Sequence, residues 1–170
     1  MATRAAVHAA CLVGYVLSVS AMLVYAAARP AHNVDLIDYV GAALADTGLA
    51  GDELHARTYA VLRETLPADD YRLLTENSPY LHDMAADAES FRQNLPFFLV
   101  KPLYPSLMSV LARLGVDLPS AALVISIAAG ALLGLVTYVW LAAYAPVPYR
   151  AAFGALLLAG YMVAERGACF

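Results

Sequence analysis

Two uncharged apolar runs, residues 5–28 and 120–145, constrain this chain more than any other feature. About 20 helical residues cross the hydrocarbon core of a bilayer, and both runs exceed that. Inside lipid every backbone polar group must be satisfied within its own segment, which leaves a helix as the spanning form for such a run. The composition agrees: 62% of the residues are apolar and 14% are charged, whereas soluble domains average about 45–50% and about 25%. The predicted fold class is all-α, with polytopic transmembrane helices and an amphipathic-helical extracytoplasmic loop. Three regions follow: 1–29 as a first transmembrane helix, 30–116 as the helical loop with interfacial helices, and 117–170 as second and third transmembrane segments.

The first run also fits a signal peptide, with Arg4 before it and Ala26-Ala27-Ala28 after it. Its apolar core exceeds the usual signal-peptide length of about 7–15 residues, so an uncleaved anchor is favoured. Residues 151–164 form a third apolar run of 14 residues, below the usual span of about 17, and the chain is expected to be a truncated part of a longer polytopic protein. Arg4 and Arg150 fall on one side of a three-span arrangement, which positive-inside logic makes cytoplasmic. Residues 30–116 are then extracytoplasmic, with a bacterial inner membrane as the expected location. That region holds twelve of the fourteen acids against six bases, so it lacks the basic patch nucleic-acid binding needs. Cys11 and Cys169 make neither a metal spacing nor a disulfide framework.

The polar region reads as short helices. One stripe is Leu36, Val40, Ala43, Leu44 and Thr47, ended by Gly48. Asp52 is a candidate cap for a second helix carrying Leu54, Thr58, Val61, Leu62 and Thr65, stopped by Pro67. A short piece spans 69–76, and Asn77-Ser78-Pro79 makes a turn. One helix is then predicted to carry Leu81, Met84, Ala85, Ala88, Phe91 and Leu95, with Asp83, Asp87 and Arg92 outward. After a proline-broken apolar stretch, a helix over 103–114 is predicted to turn Leu103, Leu107, Val110, Leu111 and Leu114 inward before Gly115, and Asp117 can cap the next.

Candidate chemistry lies at the two ends of this region. Asp35, Asp38 and Tyr39 share a helix face, and His32 precedes Asp35 by three. The spacing His-x-x-Asp-x-x-Asp suits a hard divalent cation, or one carboxylate could be a general base; the plainer reading is acids complementing a helix dipole. Lys101, the chain's single lysine, stands at expected headgroup depth, where it can bind lipid phosphate or simply snorkel.

A span, then Asp35-Leu36-Ile37-Asp38-Tyr39, then an amphipathic excursion, then Lys101-Pro102-Leu103-Tyr104-Pro105 before the next span, resembles the N-terminal part of the GT-C integral-membrane glycosyltransferases. The likeness is to the branch of aminoarabinose transferases and protein O-mannosyltransferases. It covers most of the chain as topology and about ten residues as motif. The resemblance implies a polyprenyl-phosphate-linked sugar as donor, Asp35 as the catalytic carboxylate that orients or deprotonates the acceptor, and Lys101 on the lipid phosphate, with Asp38 on the same helix face as a second catalytic candidate. His32, Tyr39 and Tyr104 would support them. Leu36 stands where the family has a second acid, and Leu103 where its aminoarabinose branch has a second proline. The alternatives are a non-enzymatic scaffold or accessory subunit binding a partner through the stripes at 81–95 and 103–114, and a transporter, which would call for charges within spans.

Overall fold

The computed structural model describes residues 4–30 and 32–167, so Cys169 lies outside the described residues. Among the described residues there are ten helices and no strand, and the chain divides into two compact units. One comprises Met1–Pro30 and Ser126–Phe170, the other Ala31–Ile125.

In the first unit, α1 (Arg4–Ala28) packs along α10 (Val147–Gly167), and α9 (Leu118–Tyr144) contributes everything beyond Ile125. Two helices among the described residues, Ala5–Ala28 and Leu118–Tyr144, are long and apolar enough to cross a membrane. The third apolar run belongs to the 21-residue α10, which carries Arg150 near its start and Glu165 and Arg166 near its end. Lipid gives no hydrophobic reward for helix association, so close backbone approach at small residues matters. A Cβ on Gly134 would lie 2.9 Å from Val19 Cγ1, and one on Gly130 would lie 3.0 Å from Leu23 Cδ2. The Gly-x-x-x-Gly pair of α9 thus receives two α1 side chains four residues apart. The Tyr15 hydroxyl donates to the Gly134 carbonyl at 2.8 Å, and its ring meets Tyr138 at 5.2 Å. Arg150 closes the end of α9 by donating to the carbonyls of Ala142 and Ala145 at 2.9 and 3.1 Å, a favourable cation at a helix C-terminus. Gly134→Ile should lower thermal stability in detergent by about 1–3 kcal/mol through overpacking. Leu132→Ile, on an exposed part of the same helix, should not; equal melting of the two variants would show that the α1 contact is not tight.

The second unit is built around α2 (Asp35–Ala45), which is buried on almost every side from Leu36 to Ala43. Around it stand α3 (Gly51–Thr65), α4 (Ala68–Glu76), α5 (Pro79–Ala86), α6 (Ala88–Asn94), α7 (Pro96–Leu99) and α8 (Leu103–Arg113). The stop signals act as expected. Gly48 and Gly115 follow their helices at φ +94° and +91°, a conformation that a Cβ disfavours. Asp117 accepts from the Ser120 amide at 2.9 Å at the start of α9. Leu54, Thr58, Val61 and Leu62 are buried along α3, while Thr65 and Thr47 are exposed.

Three local expectations are corrected. Asp52 is not a cap: Ala50 holds that position without a side-chain bond, and Asp52 sits with Glu53 in the first turn, favourable to the dipole. The helix expected over 81–95 is two helices. The backbone is extended at Asp87 (φ −128°, ψ 119°), whose carboxylate accepts from the Ser90 amide and hydroxyl, both at 2.8 Å. Those two bonds hold its carboxyl below the usual range. Finally, α8 presents a different face. Pro105, Met108 and Ser109 are buried, whereas Leu103, Leu107, Val110 and Leu114 are exposed and Leu111 is half-buried. The buried Ser109 is satisfied there: its hydroxyl lies 2.9 Å from the Ala43 carbonyl of α2 and 3.1 Å from that of Pro105.

Candidate functional site

The second unit brings some of the sequence-predicted residues together and separates others. Tyr39, one turn beyond Asp35 on α2, is half-buried, with its ring edge-on to Phe98 at 4.9 Å and tilted against Tyr104 at 4.6 Å. The Tyr104 hydroxyl donates to the Ala122 carbonyl at 3.0 Å, which fixes the ring. Lys101 is exposed, with Nζ 5.3 Å from the Phe98 ring centroid, a cation–π placement worth about 0.5–1 kcal/mol at such a site. Phe98 of α7 therefore underlies the chain's single ammonium side chain, and it joins an aromatic cluster with Tyr39 of α2 and Tyr104 of α8. Phe98 is the member that the sequence pattern does not single out, although its spacing of three before Lys101 is visible there.

Asp35 is exposed in the first turn of α2, where a negative charge suits the helix dipole. Among the described residues no ion pair joins Asp35 or Asp38 to Lys101. His32 is held elsewhere: its Nδ1 lies 3.0 Å from an Asp70 carboxylate oxygen on α4, which ties the start of α2 to that helix. The His32-Asp35-Asp38 spacing accordingly does not form a metal site, and among the described residues no three His, Cys, Asp or Glu side chains gather as one. No step involving a divalent cation is derived.

Asp38 is the anomaly. It is 1% exposed inside the apolar core. Asn94 Nδ2 donates to one carboxylate oxygen at 3.2 Å, and the other oxygen has no partner. Tyr59, 6% exposed, likewise carries a hydroxyl with no partner. Burial is the largest cause of an upward shift that brings the Asp38 carboxyl to about 7; the Asn94 bond opposes it and the Asp35 charge adds to it. Burial, with the Asp38 charge next, raises the Tyr59 phenol far above its ordinary range, and Tyr80 is raised more weakly by the same two causes. Burial therefore favours the neutral carboxyl of Asp38 over its carboxylate. The sequence does signal the partner: Asn94 stands three residues after Phe91 and next to Leu95, an amide on an otherwise apolar face.

Comparison with family models, with curated proteins and with solved structures finds no match.

Proposed function

We propose that the chain is an integral membrane protein whose second unit binds the phosphate of a polyprenyl-phosphate-linked sugar and contributes to glycosyl transfer. The observation that carries this reading is Lys101 poised over Phe98, whose ring meets Tyr39, on the same helix assembly that presents Asp35. The aromatic base keeps a flexible side chain near one position and offers apolar surface to an isoprenoid. In the reaction, Asp35 takes the proton of an acceptor hydroxyl as its oxygen attacks the anomeric carbon. The bond from that carbon to the phosphate oxygen breaks, and the Lys101 ammonium stabilises the charge left on the phosphate. Phe98 holds the lysine, and Tyr39 packs edge-on against that ring. Asp38, buried against Asn94, takes no step in this reading. The second unit would then be extracytoplasmic, as the orientation of Arg4 and Arg150 suggests.

Binding separates this from its rival, a non-enzymatic scaffold or accessory subunit. The full chain in nanodiscs should bind a polyprenyl phosphate more tightly than the corresponding alcohol. Lys101→Ala should abolish that preference, weakening phosphate binding about tenfold to a hundredfold, as loss of a bond to a charged group implies. Asp35→Asn should leave binding intact while removing any sugar transfer. Equal binding of phosphate and alcohol by the parent would leave the scaffold reading in place.

A further inference from the structure

Helix α8 carries a second apolar stripe that the fold does not use. Leu103, Leu107, Val110 and Leu114 follow one another at helical spacing, and Leu103 and Leu114 are 74% and 76% exposed. Phe97 and Val100, on and just after α7, are exposed apolar side chains as well. The helices of Ala88–Leu99 and Leu103–Arg113 meet at a bend of 102°, and together they are apolar enough to pass as one broken span or re-entrant loop. Such a surface exceeds the scattered single side chains a solvated face normally shows.

Charge identifies the occupant. Residues 95–116 contain no acid and two bases, Lys101 and Arg113. All twelve acids of the 30–116 region lie before residue 90. A locally cationic, apolar segment in an otherwise acidic unit is complementary to anionic headgroups over acyl chains. Connectivity agrees: α9, apolar enough to cross a membrane, begins at Leu118, four residues after Leu114. We infer that α7 and α8 form an interfacial wedge, inserted into the outer part of an anionic phospholipid bilayer through the stripe from Phe97 to Leu114. Met108 and Ser109 grip α2 from the opposite face. The inference goes beyond sugar transfer, and a protein that binds no polyprenyl phosphate could still carry the wedge.

The chain's single tryptophan, Trp140, makes a fluorescence test direct. In a Trp140→Phe background, Leu103→Trp and Leu107→Trp each place a reporter on the stripe. Leu73→Trp places one on an exposed position of α4 as a water-facing control. The full chain is reconstituted into mixed phosphatidylcholine–phosphatidylglycerol vesicles containing phosphatidylcholine brominated near the headgroup end of its acyl chains. Both stripe reporters should be blue-shifted and quenched at least about two-fold by the bromolipid, as expected for side chains at the acyl boundary, and the Leu73→Trp reporter should not. Either other pattern overturns the wedge: red emission quenched by iodide means the stripe faces water, and blue emission without bromolipid quenching means that a second copy or another protein covers it. Substitution at two exposed positions keeps the test independent of how either variant folds.

Discussion

The Asp38→Asn variant is expected to melt well above its parent at about pH 8 and close to it at about pH 4. Asp38 has a folded-state pKa raised to about 7 from an ordinary 3.8. Between those values the native state holds a proton that the unfolded chain has released. Stability therefore falls as pH rises through the window, and the full penalty is present above about 7. At about 1.4 kcal/mol per pH unit the penalty is on the order of 4 kcal/mol, or roughly 10 °C in Tm for a chain of this size. Asparagine keeps the shape and an oxygen to accept from Asn94, and it has no charge to bury. Asp35 is the charge that acts on Asp38 through the field, and the Asp38 charge in turn raises Tyr59 and Tyr80. Ionisations elsewhere are common to parent and variant and cancel in the difference. Melting curves in detergent micelles across the window provide the measurement. Parallel parent and variant profiles would mean that water reaches the carboxylate and that the core site is open.

The two helices of spanning length and the glycine stop signals are legible in the sequence, because each depends on local chemistry: Gly48 and Gly115 at positive φ, and uncharged runs long enough to cross a membrane. Which stripe meets which neighbour is not. Helix α8 has two apolar faces, and the one that meets α2 is marked by Ser109, whose hydroxyl bonds the Ala43 carbonyl 66 residues away in the chain. The break at Asp87 is hidden for a related reason: a capping aspartate and a surface aspartate look alike until the backbone turns. At the candidate site, Asp35, Tyr39, Lys101 and Tyr104 are legible as residue types at the two ends of the polar region. That Asp38 faces inward, and that His32 answers to Asp70, are tertiary facts with no local signature. The Gly130–Gly134 pair is legible in principle, being a spaced small-residue motif within an apolar run, but its partner side chains on α1 are not.

Phe91→Ala should be the most damaging single change in the second unit, at about 3–5 kcal/mol of stability. The ring is 1% exposed and sits against His55 and Tyr59 at 5.6 and 6.1 Å between centroids. It also fills the space above Gly41, where an added Cβ would stand 2.6 Å from Phe91 Cζ. Gly41→Ala is thus expected to cost about 1–3 kcal/mol by overpacking, although alanine favours a helix by about 1 kcal/mol over glycine. The two defects are complementary, since the methyl occupies part of the hole the ring leaves. Gly41→Ala combined with Phe91→Leu should therefore be more stable than the sum of the single changes, with a coupling of about 0.5–3 kcal/mol. Additive losses would mean that ring and glycine do not share this space. The same packing governs the carboxyl, because Phe91 lies one turn before Asn94, the partner of Asp38. Loosening the ring should let water reach Asp38 and lower its pKa. The stability gained at high pH by Asp38→Asn should then shrink when the substitution is made in the Phe91→Ala background. A gain that persists unchanged would show that Asp38 is sealed by other groups than the one that fills the centre of the unit.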